Sequence, residues 1–276
     1  MGGQPTVFIL GGSADIGVEL AGRYLDAGCR VVLTYRRREA LERLTGRPGF
    51  VAIACDVASP DSIADAVAEF AARGWRWDKF LSIVGTMEPI GPFFESDFAQ
   101  WSRSITVNAI GQLHVLHALY PHRRQPGEVG AMFMAGGGTN NPFTNYSAYA
   151  AAKIFLIKMA ELLDDEAPDL NVFVAGPGFV RTKIHDETLA ASAKPGVNRQ
   201  KTLDFLETAG TSHNDIFACI EWCFDQGRPV AGGRNFSVVH DPWRDGGALL
   251  KAALTEDSNL YKMRRRQDLS AKLEQS

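Results

Sequence analysis

Seven short apolar runs recur along this chain, at Thr6 to Leu10, Arg30 to Thr34, Phe50 to Ala54, Lys79 to Val84, Val129 to Ala135, Leu170 to Ala175 and Asn235 to Val239. They are rich in β-branched and aromatic residues, and apolar residues at helical spacing lie between them. A run without alternation has no polar side to give to water, so each strand must be covered on both faces. This pattern predicts an α/β fold: a doubly wound parallel sheet of about seven strands, with helices on both faces joined by right-handed crossovers. At 276 residues and 45% hydrophobic, the chain can build one such domain with a sizeable core.

Ligands of such sheets bind beyond the carboxyl ends of the strands. After the first run comes Gly11-Gly12-Ser13-Ala14-Asp15-Ile16-Gly17, then a helical pattern from Val18 to Ala27. Strand, glycine turn and helix together bring backbone N–H groups and a helix dipole close to a phosphate, which is the Rossmann-type arrangement. Asp56, Gly85, Gly136 and Pro177-Gly178 follow the third to sixth runs and should line the same crevice.

Tyr149 precedes Lys153 by four positions in Asn145-Tyr-Ser-Ala-Tyr149-Ala-Ala-Ala-Lys153. A helix sets such a pair on one face. An ammonium beside a phenol favours the phenolate, lowering a pKa that starts near ~10, and so suits proton transfer at neutral pH.

A formal net charge of −3 without a basic stripe excludes nucleic acid as the expected partner. No apolar stretch reaches the length of a membrane span and no signal-peptide pattern opens the chain, so a cytoplasmic protein is expected. Cys29, Cys55, Cys219 and Cys223 read as free thiols, and no metal site is expected. Polar residues 183–214 read as a lid with short helices over the domain formed by residues 1–242. Residues 243–276 form a C-terminal extension whose Trp243, Leu249, Leu250, Leu254, Leu260 and Tyr261 could dock on this subunit or a neighbour.

With the Tyr149-x-x-x-Lys153 pair, the glycine turn and the strand order, residues 5 to 242 resemble the short-chain dehydrogenase/reductase family. The resemblance implies an oxidoreductase that transfers hydride between a nicotinamide cofactor and a ketone or aldehyde and its alcohol. It implies that Tyr149 is the general acid or base, that Lys153 bonds the nicotinamide ribose, and that Asn108 in Thr106-Val-Asn108-Ala-Ile-Gly111 holds a water in the proton relay. Asp56, with Val57, matches the aspartate that bonds the adenine amino group. Pro177, Gly178, Val180 and Thr182 match the segment that holds the nicotinamide carboxamide, and Gly11, Ser13, Asp15, Ile16, Gly17 and Gly85 complete the cofactor set. A homodimer or homotetramer built on the helices after Asn108 and from Tyr149 is also implied.

Strand two ends in Tyr35-Arg36, where an NAD site usually places an acid for the ribose 2′-hydroxyl. A guanidinium suits a 2′-phosphate, and Ser13 could add a hydroxyl, so NADP(H) is expected over NAD(H). Arg181 and Lys183 beside Thr182 would suit an anionic group on the substrate. The family's catalytic serine lies about thirteen residues before the tyrosine, where this chain has Gly136. Thr139, ranked above Ser147 and Thr144, could supply the hydroxyl; so could backbone N–H groups of Gly136 to Gly138. The chain could instead be a weak or non-catalytic dinucleotide-binding regulator, or an epimerase working through an oxidised intermediate.

Overall fold

The structure, a computed structural model, describes residues 3–12, 15–127, 129–191 and 194–264. Ser13 therefore lies outside the described residues. Seven strands, β1 (Thr6–Leu10), β2 (Arg30–Tyr35), β3 (Phe50–Ala54), β4 (Lys79–Ser82), β5 (Val129–Met134), β6 (Leu170–Gly176) and β7 (Asn235–Ser237), form one sheet in the order β3-β2-β1-β4-β5-β6-β7. Every neighbouring pair is parallel. Chain order reverses between β1 and β4, which opens a crevice above their carboxyl ends.

The helices are α1 (Asp15–Asp26), α2 (Pro60–Ala72), α3 (Phe98–Ile105), α4 (Gly111–Leu119), α5 (Ser147–Glu166), α6 (Ile184–Ala190), α7 (Val197–Leu206), α8 (His213–Gln226), α9 (Arg228–Ala231) and α10 (Ala248–Glu256). Alternate strand residues feed opposite faces. Val7 and Ile9 join the cluster under α1, α8 and α10, while Phe8 and Leu10 join the cluster under α2, α4 and α5. That division is why the strands read as unbroken apolar runs.

Two strands stop two residues earlier than the apolar runs suggest. β4 ends at Ser82 because the Val84 carbonyl accepts from the Lys153 Nζ at 3.0 Å and from Gln112 Nε2 at 3.3 Å instead of continuing the ladder. β7 ends at Ser237 because the Asp241 carboxylate accepts from the Ser237 N–H at 2.6 Å and closes a turn.

The segment expected to form a lid holds helices α6 and α7. The extension docks on its own subunit: Trp243, Leu250 and Leu254 are buried in the first core cluster, and Leu260 and Tyr261 pack against it. Leu249 does not join them and is 85% exposed, since α10 is amphipathic and this position faces out. Buried Arg234, just before β7, fastens the extension by donating to the carbonyls of Leu254 at 2.7 Å, Leu260 at 3.0 Å and Asp257 at 3.2 Å. No helix among the described residues is long and apolar enough to cross a membrane.

Candidate active site

A cleft of about 60 Å³ opens over the carboxyl ends of β1 to β4. Its walls include Gly11, Thr34, Tyr35, Arg36, Val57 and Gly85. Gly11 sits at φ +94° with its N–H donated to Thr34 Oγ1 at 3.0 Å, and a Cβ there would press on Val84 at 2.9 Å. The main chain thus lies as near the cleft floor as it can, which suits a bulky phosphate-bearing ligand. Ile16 and Gly17 are buried in the first turn of α1. Asp15 turns its carboxylate to the Lys183 N–H at 3.2 Å, tying the glycine turn to the lid. Asp56 does not project as a free group: its Oδ1 accepts from the Ala58 N–H at 3.0 Å, leaving neighbours Cys55 and Val57 as cleft wall.

Asn108 and Lys153, two of the proposed proton-transfer residues, meet beside Gly85 in the wall of this cleft. α5 carries both Tyr149 and Lys153, which are 6% and 2% exposed, with the Lys153 Nζ 5.8 Å from the phenol ring centroid. Asn108 is aimed by a π turn, Thr106–Ile110, inserted between α3 and α4. Its Oδ1 accepts from the Thr86 N–H and its Nδ2 donates to the Thr86 carbonyl, both at 2.9 Å. A Cβ placed on Gly85 would meet Asn108 Oδ1 at 3.8 Å and Lys153 Nζ at 4.0 Å, so strand end, π turn and α5 converge on one point.

Gly136, where the family carries serine, lies directly against the tyrosine. A Cβ at this position would overlap the Tyr149 hydroxyl and come within 2.8 Å of its ring. The phenol therefore occupies the volume a serine side chain would need. Thr139 lies beyond Gly138, whose own Cβ would meet Phe143 at 2.9 Å and Ala150 at 3.0 Å as the loop folds back. Ser147 is engaged elsewhere, accepting from Trp101 Nε1 at 3.0 Å.

The electrostatics differ from those the sequence suggests. Burial, aided by the Glu187 charge, pushes the Tyr149 phenol up to about 12 instead of down. Burial alone pulls Lys153 down to about 7, so at neutral pH it is a weakened cation and does not draw the phenol toward ionisation. A phenol held this way keeps its proton at neutral pH.

Pro177, Gly178, Val180 and Thr182 follow β6 and lead into α6; Val180 is buried and Gly178 takes φ +74° against Thr211 and Val239. Arg181 is turned away, donating to the Leu206 carbonyl at the end of α7, while the Lys183 side chain is exposed. His185 is likewise structural, stacked on Phe179 at 4.3 Å with its Nε2 at 3.0 Å from the Val180 carbonyl.

Two site residues escaped the sequence reading. Gln112 is fully buried; its Nε2 donates to the Asn108 carbonyl at 2.7 Å, and its Oε1 accepts from Ser82 Oγ at 2.6 Å. Glu187 on α6 accepts through Oε2 from the Met87 N–H at 2.6 Å, Thr86 Oγ1 at 3.1 Å and the Glu88 N–H at 3.3 Å. Its acidic position three residues into the lid helix was the available signal, but nothing local says which loop it would clasp.

A family model described as short chain dehydrogenase matches residues 5–193. Among curated relatives, 11-beta-hydroxysteroid dehydrogenase 1A of Arabidopsis thaliana is 27% identical over 187 residues, covering 64% of this chain and 53% of that protein. The chain thus spans about half that relative's length. Sulfoacetaldehyde reductase of Chromohalobacter salexigens is 32% identical over 185 residues, covering 64% of this chain and 73% of the other. Of solved structures, a short-chain dehydrogenase from Streptomyces avermitilis superposes with a TM-score of 0.73 at 25% identity, covering 93% and 96% of the two chains. A short chain dehydrogenase from Shigella flexneri complexed with NADP shares the fold, with a TM-score of 0.69 at 23% identity over 85% and 96%. The family model covers more than half of the sequence, and this chain belongs to the short chain dehydrogenase family.

Proposed function

We propose that this protein is an NADP(H)-dependent oxidoreductase that reduces a ketone or aldehyde to an alcohol. The observation that carries the reading is the buried Tyr149 phenol set one helical turn before buried Lys153, whose Nζ lies 5.8 Å from the ring centroid. The cleft residues fit a dinucleotide: Gly11 keeps the backbone low, Tyr35 and Arg36 line the wall where an adenosine 2′-phosphate would be met, and Gly85 leaves space beside Lys153. Val57 and Asp56 bound the adenine side, and Thr182 with Pro177, Gly178 and Val180 would close on the nicotinamide end. The Shigella relative's complex with NADP supports the choice of cofactor.

When bound, the nicotinamide supplies the hydride. This chain's residues handle the proton and the geometry. The Tyr149 hydroxyl donates to the carbonyl oxygen as it becomes an alcohol oxygen, and Lys153 holds the ribose and carries charge next to the emptied phenol. Asn108, fixed at both amide atoms by Thr86, keeps the π turn open toward Lys153. The N–H groups of Gly136 to Gly138, rather than a side chain, face the substrate oxygen. Self-association along the α4–α5 face is part of this reading, since Phe155 and Leu162 are 44% and 39% exposed there.

The test is NADPH consumption against a panel of neutral carbonyl compounds, with Tyr149→Phe as control. Turnover lost in the Phe variant while NADPH still binds supports the assignment. Bound NADPH with no oxidation by any carbonyl would instead favour a regulator that kept the fold without turnover.

A further inference from the structure

The main chain leaves the sheet after Ile83, whose N–H donates to the Leu10 carbonyl at 2.9 Å, and from there to Glu88 side chains hold it. The Val84 carbonyl accepts from Lys153 and Gln112. Thr86 is held from two sides. Asn108 Oδ1 accepts from its N–H and Asn108 Nδ2 donates to its carbonyl, both at 2.9 Å, while Glu187 Oε2 accepts from its hydroxyl at 3.1 Å. The same Glu187 oxygen accepts from the N–H groups of Met87 at 2.6 Å and Glu88 at 3.3 Å. Three donors on one oxygen suit a carboxylate, and bonds to a charged acceptor are stronger than neutral ones.

Glu187 reaches this loop because α6 turns Ile184, Glu187 and Thr188 to one side, at i, i+3 and i+4. Ile184 lies over Gly85, 3.5 Å from where a Cβ would stand, and the buried Thr188 hydroxyl is 2.9 Å from that of Tyr146, the residue before α5. The helix is thus seated on the loop and on the start of α5 at once. Asn108 is less constrained from its own side: Nδ2 also donates to Ser104 Oγ at 3.0 Å, which leaves Oδ1 aimed by the Thr86 N–H.

We propose that Glu187 is a positioning residue for the proton relay: it seats α6 on the Thr86–Glu88 loop and, through Thr86, sets where the Asn108 amide points. This role rests on reading Asn108 as a member of that relay. Without the carboxylate, Met87, Glu88 and the Thr86 hydroxyl lose their shared acceptor, the loop shifts, and Asn108 follows it.

The test is a double-mutant cycle read on kcat, with NADPH and whichever carbonyl of the panel the parent reduces fastest. Glu187→Ala should lower kcat by about tenfold or more, as misplaced catalytic groups do, with the NADPH Kd within about twofold of the parent. Introduced into Asn108→Ala, the same change should cost less than about twofold in residual kcat, because its route to the chemistry is already cut. Glu187→Gln keeps an acceptor oxygen and should recover most of the loss; Thr86→Val, which removes only the hydroxyl, should lower kcat in the parent but not in Asn108→Ala. A merely structural residue would cost the same in both backgrounds, and that result, or an unchanged kcat in Glu187→Ala, would overturn the proposal. Amide exchange by NMR needs no turnover. The Thr86 N–H bonds Asn108 and not Glu187, yet it should exchange about tenfold faster or more in Glu187→Ala, as local opening becomes easier. Unchanged exchange would overturn the proposal. If Glu187→Ala does not fold, Thr86→Val and Glu187→Gln carry both readouts. A parent that binds NADPH but reduces no carbonyl would count against the oxidoreductase reading, and Thr86 exchange would then decide the placement of Asn108 alone.

Discussion

Gly136 and Tyr149 share one volume, and this decides what a restored serine would do. A side chain at 136 overlaps the phenol oxygen, so Gly136→Ser must push Tyr149 aside. Turnover should fall by about tenfold or more, since a misplacement near 1 Å can cost that much, with roughly 1–3 kcal/mol lost to overpacking. Steady-state kinetics and urea unfolding check both, and a rate increase would show that the phenol has room to move. Lys153 makes a second prediction. Its folded pKa of about 7 lies below the usual 10.5, so between those values the unfolded chain binds more protons and stability contributed at this site rises with pH. Tyr149 acts oppositely, but only above pH 10, where the folded state keeps its proton up to about 12. Relative to Lys153→Met, the parent should therefore gain on the order of 2 kcal/mol between pH 7 and 9.5. Urea midpoints across that range measure it; a constant difference would mean the amine is solvated. Tyr149, Lys153 and Asn108 were legible because helical spacing or a short motif betrays them. Glu187 was not, because its partners lie about 100 residues away in the chain.

At the scale of elements, the strands were legible to within a residue or two, because runs covered on both faces must be apolar throughout. Where they end was less so. Val84 and Ser237 leave the sheet for side chains that arrive from α4, α5 and Asp241, and a local reading carries no trace of those. Gln112 is the clearest case. It bridges Ser82 on β4, the loop carbonyl of Val84 and the π turn that aims Asn108. The helix can approach this closely because Gly111 has no Cβ, which would collide with the Val57 carbonyl. Gln112→Leu fits the volume but strands the Ser82 hydroxyl without its acceptor and deprives the carbonyls of Val107 and Asn108 of the amide donor. The expected loss is ~2–4 kcal/mol in urea unfolding, with a larger fall in turnover than in NADPH binding because Asn108 loses its support. A loss of stability under ~1 kcal/mol would show that the helix closes up without the amide.

At the scale of the molecule, the extension after residue 242 belongs to the core and not to an appended arm. Trp243, Leu250 and Leu254 are each buried, and burial of such side chains is worth ~1.5–3 kcal/mol apiece against a total of ~5–15 kcal/mol. Removing residues 243 to 276 should abolish a cooperative unfolding transition by circular dichroism, whereas Arg234→Met should keep the fold and lower the urea midpoint. A truncated chain that unfolds like the parent would show the dock to be incidental. The sequence pointed to enough apolar surface for docking without saying where, because the receptor is a guanidinium buried at the start of the last strand. That guanidinium also sets an order of events at birth. Arg234 leaves the ribosome well before Leu254, Asp257 and Leu260, the residues whose carbonyls satisfy it. Until those follow, the nascent protein holds an incompletely satisfied cation at its sheet edge, so β7 cannot settle before residue 260 has emerged, and a message cut short between residues 234 and 254 yields a product suited to proteolysis.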